Sequence, residues 1–393
     1  MPVYNLIYGV VGYKIFFIST KNRSDNLRYT EEELIRIAKR KNNKKRKYLI
    51  INPLQGKHIA AKPSKSLELF SNLAEQFKEL YKNEKILLIG FAETATAIGI
   101  QIAIDINAKY IQTTREIIQN VEYLLFSEEH SHAIEQKIVK NDIYSVINEV
   151  DRIIFIEDEV TTGKTILNFI DILEKEYGCK FKYAVASVIN GMNFEDLNIY
   201  KSKNINIHYL LKTDYSNYEE KIDRIIENGY EYKYKYLNKS KACIKKINIQ
   251  GYINSRRMTN PKKYEKACDE LWHEIKKEIG NLHNEKILVV GTEEFMFPAI
   301  YIGFYLEKEG NDVFCHSTTR SPIEVSLEED YPLHSRYELK SLYDSERKTF
   351  IYNISNYDRV LVITDSPEIK ECQDTLINAL STKNKNILVV RWC

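Results

Sequence analysis

Three stretches of this chain recur in the same order in its second half, and nothing else in the sequence constrains the fold as strongly. Residues 84–93 read EKILLIGFAE and residues 285–294 read EKILVVGTEE, with six of the ten positions identical. Thr113-Thr114-Arg115 reappears as Thr318-Thr319-Arg320, and 151–159 (DRIIFIEDE) as 358–366 (DRVLVITDS). The offsets are 201, 205 and 207 residues. Matches in one order at near-constant spacing imply two related domains. A length of 393 residues accommodates them, since single cores rarely grow past roughly 250–300 residues.

Within each half, apolar strand-like runs alternate with segments of helical period. In the first half, 48–52, 85–89, 110–113 and 123–126 read as strands and 97–106 as a helix. Leu69, Leu73, Phe77 and Leu80 recur at helical spacing over 66–81. Alternation of this kind predicts parallel sheets with helices on both faces. The expected fold is therefore α/β, with two related parallel-sheet, Rossmann-like domains. Between 201 and 246 the pattern weakens. There Tyr230, Tyr232, Tyr234 and Tyr236 alternate with charged residues, and an edge strand between the domains is expected.

Composition narrows the function classes. A formal net charge of +2 gives no bulk electrostatic case for nucleic acid or acidic partners. The six cysteines have no CxxC spacing, which fits reduced thiols in a cytoplasmic protein better than a disulfide framework or zinc site. The apolar stretch 3–18 is interrupted by Asn5 and Lys14 and has no basic leader, so it is expected to form strands and neither a signal peptide nor a membrane span. The basic run 39–47 (KRKNNKKRK) is expected to be a solvated helix end or loop.

The chemistry concentrates in 152–165, RIIFIEDEVTTGKT. Ile153 to Ile156 read as a buried strand, Glu157 and Asp158 sit where it ends, and Thr161, Thr162, Gly163, Lys164 and Thr165 lead into an amphipathic stretch. Backbone N–H groups of such a turn and the positive end of the following helix can hold a phosphate. The adjacent carboxylates can accept hydrogen bonds from two neighbouring sugar hydroxyls. A nucleotide P-loop also ends in Gly-Lys-Thr but needs a glycine where this chain has Asp158. Elsewhere, the small residues of 90–99 (GFAETATAIG) let the backbone approach an anion ahead of a helix, and Arg115 suits phosphate contact. Glu128, Glu129, His130 and His132 offer metal ligands, although HxH alone specifies little.

The 152–165 segment resembles the ribose motif of type I phosphoribosyltransferases. Together with NPLQGKH (52–58), GFAETATAIG, TTRE, EEHSHA, GTEEFMF (291–297) and STTRSP (317–322), it resembles the phosphoribosyltransferase-like proteins of bacterial tellurium-resistance gene clusters, in which a TRSP domain follows the catalytic domain. The resemblance implies that Glu157 and Asp158 bind ribose hydroxyls of phosphoribosyl pyrophosphate and that Thr161 to Thr165 cradle its 5′-phosphate. It places pyrophosphate contacts at Ala92, Glu93, Thr94, Ala95 and Thr96, and a mobile closing loop at Glu128 to His132. It also implies Mg²⁺ carried by the substrate, with catalysis resting on Glu157, Asp158 and Arg115. The expected organisation is 1–215, a phosphoribosyltransferase-type domain with an N-terminal hood; 216–250, a linker or edge-strand segment; and 251–393, the TRSP domain. In that second copy the phosphate loop is lost, and Glu293, Glu294, Thr319, Arg320 and Ser321 are candidates for a second ligand site. The expected reaction is transfer of a 5-phosphoribosyl group to a nitrogenous base; a sensor that binds phosphoribosyl pyrophosphate without turnover is the alternative. Small molecules are the expected partners, without membrane or nucleic acid, and the resemblance favours a homodimer.

Overall fold

The computed structural model describes residues 29–41, 43, 46–126, 136–178 and 180–393. An antiparallel hairpin, β1 (Arg36–Lys39) and β2 (Tyr48–Ile51), precedes the helix Pro63–Glu75. Then come β3 (Ile86–Gly90), the helix Ala95–Ile106, β4 (Lys109–Gln112), and an antiparallel pair, β5 (Tyr123–Phe126) and β6 (Gln136–Val139). β7 (Arg152–Val160), the helix Lys164–Tyr177, β8 (Lys182–Asn190), the helix Phe194–Ser202 and β9 (Asn206–Lys212) complete the first half. Its central sheet runs β4-β3-β7-β8-β9, all parallel.

The second half contains β10 (Tyr230–Lys233), β11 (Cys243–Ile249), the helix Pro261–Ile279, β12 (Lys286–Gly291), the helix Phe297–Lys308 and β13 (Asp312–Ser317). It ends with β14 (Ser335–Lys340), β15 (Lys348–Tyr352), β16 (Arg359–Thr364), the helix Lys370–Leu380 and β17 (Asn386–Trp392). Its parallel sheet runs β11-β17-β16-β12-β13. Read from the other edge, β13-β12-β16-β17 repeats β4-β3-β7-β8, and each half inserts an antiparallel pair at the same point, β5–β6 or β14–β15. Only the fifth strand differs, since β9 follows β8 in the chain whereas β11 precedes β12. Small fixings repeat as well. Asp151 accepts the Lys85 N–H at 2.7 Å and Asp358 accepts the Lys286 N–H at 2.8 Å. Arg152 pairs with Glu84 at 2.6 Å and Arg359 with Glu285 at 3.0 Å.

Both faces of each sheet are covered, which is why the central strands are continuous apolar runs. Ile153 to Ile156 are each 0% exposed. The helices Pro63–Glu75 and Ala95–Ile106 of the first half pack against Pro261–Ile279 and Phe297–Lys308 of the second, and one core is shared across that contact. The outer faces have their own cores, under Lys164–Tyr177 and under Lys370–Leu380. Ala95–Ile106 is buried through residue Ala103 because it lies between a sheet and three other helices. Each large aliphatic side chain so buried stabilises the fold by about 1.5–3 kcal/mol.

Several elements depart from expectation. The helix expected over 66–81 ends at Glu75, and Leu80 is 68% exposed; the turns that follow still bury Phe77 and Tyr81, so the apolar spacing outlasts the helix. Strand 123–126 pairs antiparallel with β6 and lies outside the parallel sheet. The tyrosine alternation is a strand only to Lys233 and then a 3₁₀ turn over Tyr234–Tyr236. β10 forms the edge of a small sheet with β14 and β15, where the Tyr232 ring stacks on Tyr337 at 4.5 Å. The acids Glu157 and Asp158 lie inside β7, which runs on to Val160 because β8 continues to pair with it as far as Asn190. No described helix is long and apolar enough to cross a membrane. The stretch 3–18, and Glu128, Glu129, His130 and His132, lie outside the described residues.

Candidate active site

β7 delivers the acid pair to the carboxyl edge of the first sheet, where open α/β sheets bind ligands. Glu157 and Asp158 are both partly exposed there. No described side chain hydrogen-bonds Asp158; only backbone groups do. Burial first, and the neighbouring Glu159 second, push its carboxyl up to about 7. Glu159, by contrast, is matched by Arg46, whose guanidinium also lies 4.4 Å from the Tyr48 ring centroid. The basic run is thus not wholly solvated: one of its residues is drawn in by a carboxylate next to the site.

Gly163 makes the turn after β7 with φ +74° and heads the helix Lys164–Tyr177; as N-cap it offers no side chain, and the Lys164 N–H donates to the Thr162 hydroxyl at 3.3 Å. A Cβ here would lie 2.4 Å from the Tyr200 hydroxyl and 2.5 Å from the Met192 methyl, so both the conformation and the space require glycine. Tyr200 fixes the turn by donating to the Gly163 carbonyl at 2.7 Å. Lys164 is exposed, and Thr161, Thr162 and Thr165 are partly so. A helix start with small neighbours is a ready anion site.

The loop after β3 lies beside this turn across the β3–β7 pairing. Ala92 donates to the Thr113 hydroxyl at 2.8 Å and its carbonyl accepts from Gln136 at 2.7 Å. The Thr96 hydroxyl donates to the carbonyls of Glu93, at 3.0 Å, and Glu294, at 2.8 Å. Ala95 is buried, while Glu93 and Thr94 are partly exposed. The Glu93 side chain turns to the second half: it accepts from the Thr319 hydroxyl at 3.0 Å and pairs with Lys57 at 3.3 Å. Burial opposes its charge, but Lys57, Arg320 and Arg115 hold the carboxyl down at about 2.

Glu116, beside Arg115, bonds Arg320 and, at 2.8 Å, Arg347. Burial outweighs these cations and pushes its carboxyl up to about 7. Arg320 also meets Glu293 at 2.7 Å. Glu293, Glu294 and Thr319 are almost fully buried, and Arg320 and Ser321 partly exposed. Two clusters therefore emerge: an open one of Glu157, Asp158 and the Gly163 turn, and a buried one in which the 92–96 loop and the Thr114–Arg115 turn meet the second-half candidates.

Models of known families match in the same order. A phosphoribosyl transferase model matches residues 34–213, and a model of the TRSP domain that lies C-terminal to such transferases matches 256–380. The chain belongs to this phosphoribosyl transferase–TRSP family. Among solved structures, adenine phosphoribosyl transferase from Trypanosoma brucei, in complex with AMP, pyrophosphate and ribose-5-phosphate, is 16% identical over 49% of this chain and 81% of that one, with a TM-score of 0.36. The enzyme from Rhodothermus marinus is 14% identical over 46% of this chain and 96% of its own (TM-score 0.33), and that from Giardia lamblia 14% over 46% and 95% (TM-score 0.34). The comparison with curated proteins found no match. The family assignment rests on the two family models.

The contact between transferase domain and TRSP domain includes residues that the sequence did not single out as site residues. Lys57, 1% exposed, donates to the carbonyls of Glu293 at 2.6 Å and Thr318 at 3.0 Å. Gly56, with φ +67°, lets 52–58 run against β13, where a Cβ would meet Cys315 Sγ at 2.8 Å. Arg256, 4% exposed, bonds Glu294 and Asp365. The signal for Gly56 and Lys57 was their place in NPLQGKH; Arg256 gave none, because its partners are distant in sequence.

Proposed function

We propose that the transferase domain moves the 5-phosphoribosyl group of phosphoribosyl pyrophosphate to a nitrogenous base. The C1–oxygen bond to pyrophosphate breaks, a C1–nitrogen bond forms, pyrophosphate leaves, and the acceptor's N–H proton is released. The observation that carries the reading is the strand–acid–glycine–helix corner. Among the described residues no side chain hydrogen-bonds the Asp158 carboxylate, and it lies beside a helix start whose turn only glycine can form. On this reading the helix start holds the 5′-phosphate, and Glu157 and Asp158 accept from the two ribose hydroxyls and orient the sugar. On this reading the 92–96 loop would contact the leaving pyrophosphate, and Arg115 would contribute positive charge toward it.

Magnesium fits as a companion of the substrate. The donors present are carboxylate oxygens, which suit it, while no group of three acids, histidines or cysteines that could hold a metal occurs among the described residues. Residues Glu157 and Asp158 would steady it through the ribose hydroxyls, and it would neutralise charge on the departing pyrophosphate. The test is release of pyrophosphate from phosphoribosyl pyrophosphate with a broad panel of bases. Wild type should respond to at least one base, with a ribosylated product detectable by mass spectrometry. Silence across the panel would sink the reading.

A further inference from the structure

Equivalent positions of the two domains reach across to each other. The internal repeat equates Glu93 with Glu294, Thr114 with Thr319, and Arg115 with Arg320. Glu294 accepts from the Thr114 hydroxyl and, at 3.4 Å, from the Arg115 N–H. In mirror image, Glu93 accepts from the Thr319 hydroxyl at 3.0 Å and from the Arg320 N–H at 3.4 Å. The crossings of the chain repeat this symmetry. Ala61, just ahead of the helix Pro63–Glu75, bridges Cys315 of β13, and Thr259, just ahead of the helix Pro261–Ile279, bridges Tyr110 of β4. Residue i of one half meets residue j of the other, and j meets i, as in a two-fold dimer. Here both halves belong to one chain.

The two sites so related are not alike. Asp365 is the counterpart of Asp158, yet it accepts from Tyr252 at 2.6 Å and Tyr343 at 2.5 Å and pairs with Arg256. The acid that a ligand would need is thus satisfied by the protein itself. Arg256 closes the second site with one nitrogen and, through Nε, holds Glu294 with another. Were the Glu294 carboxylate to turn away, the buried Arg256 guanidinium would lose one of its two acids, so Glu294 is a firm support for the turn it grips.

We propose that the TRSP domain is a built-in partner subunit. Its own sugar-phosphate site is closed by Arg256, and its Glu294 is a positioning residue that sets the Thr114–Arg115 turn of the transferase domain. The chain then binds one phosphoribosyl pyrophosphate. This rests on the ribosyl-transfer reading of the first site, and the experiment separates the two. The full chain is titrated calorimetrically with phosphoribosyl pyrophosphate and Mg²⁺. Wild type should bind one equivalent. Glu294→Gln should weaken binding roughly tenfold at unchanged stoichiometry, the scale of one charge-assisted hydrogen bond. Thr114→Val, which spares the Arg256–Glu294 pair, should weaken it similarly, and Thr114→Ser should restore it. Tyr343→Phe, in the closed site, should leave both affinity and stoichiometry as in wild type. Near-UV circular dichroism reports whether each variant is folded; if Glu294→Gln is not, the Thr114 pair decides. Two equivalents per chain, or wild-type affinity in folded Thr114→Val, would overturn the inference while leaving ribosyl transfer standing. No binding by wild type would overturn both.

Discussion

At the scale of single residues, the site depends on what has been left without a partner. Among the described residues no side chain bonds Asp158, and burial chiefly pushes its carboxyl up to about 7, whereas an unfolded aspartate ionises near 3.9. A carboxyl raised in the folded state costs stability once the unfolded chain ionises. The cost begins above about pH 4, grows through pH 7 and then levels off. Asp158→Asn should therefore melt higher than wild type at pH 8, by the equivalent of about 1–2 kcal/mol once the roughly 4 kcal/mol of the full shift is discounted for the partial exposure of Asp158, and alike at pH 4. It should also lose turnover by at least roughly a hundredfold. Melting curves at the two pH values and pyrophosphate release check both halves. Ligand affinity of wild type should rise as pH climbs through 7 and the carboxylate becomes an acceptor, a step missing in the variant. Gly163 is the other residue without an alternative. Gly163→Ala meets both a left-handed φ and the Tyr200 hydroxyl, so a loss of about 1–3 kcal/mol in stability and of 5′-phosphate affinity is expected from denaturant titration and binding.

At the scale of elements, the segment 52–58 and the strand it crosses carry the join between domains. Lys57 lies between Glu93 and the carbonyls of Glu293 and Thr318. Burial depresses its pKa, and the two nearest glutamates oppose that shift. Removing one member of such a buried set strands the other. Lys57→Met should accordingly destabilise the whole chain by about 3–5 kcal/mol, seen as a single lowered transition in thermal unfolding. A separate early transition confined to one domain would contradict the shared core. The same reasoning explains why β7 outran its sequence signal. Glu157 and Asp158 have poor strand propensity, but pairing with β8 as far as Asn190 carries the strand past them.

At the scale of the whole molecule, two sheets face each other through four helices and one continuous core. Ala95–Ile106 and Phe297–Lys308 are apolar almost all round, as helices enclosed on every side must be. A fragment ending near residue 215 would expose the inner faces of Pro63–Glu75 and Ala95–Ile106. It should be insoluble or aggregated alone, and recovered when co-expressed with 216–393, as size-exclusion chromatography would show. A monomeric, folded fragment with full ligand affinity would contradict the arrangement.

The α/β class, a collinear internal repeat and the place of the acid–glycine corner are all legible in the amino-acid order. These follow from local signals: period, turn chemistry and a collinear repeat. It also contained STTRSP and NPLQGKH as motifs, without saying that they meet. Folding alone brings Glu93 and Glu294 into opposite halves, pairs Arg46 with Glu159, and sets Arg256 at Asp365, a place that no described side chain takes at Asp158. Each of those depends on which charges burial brings together from distant parts of the chain. Burial makes an unpaired charge costly, yet no spacing along the sequence records which partner will arrive.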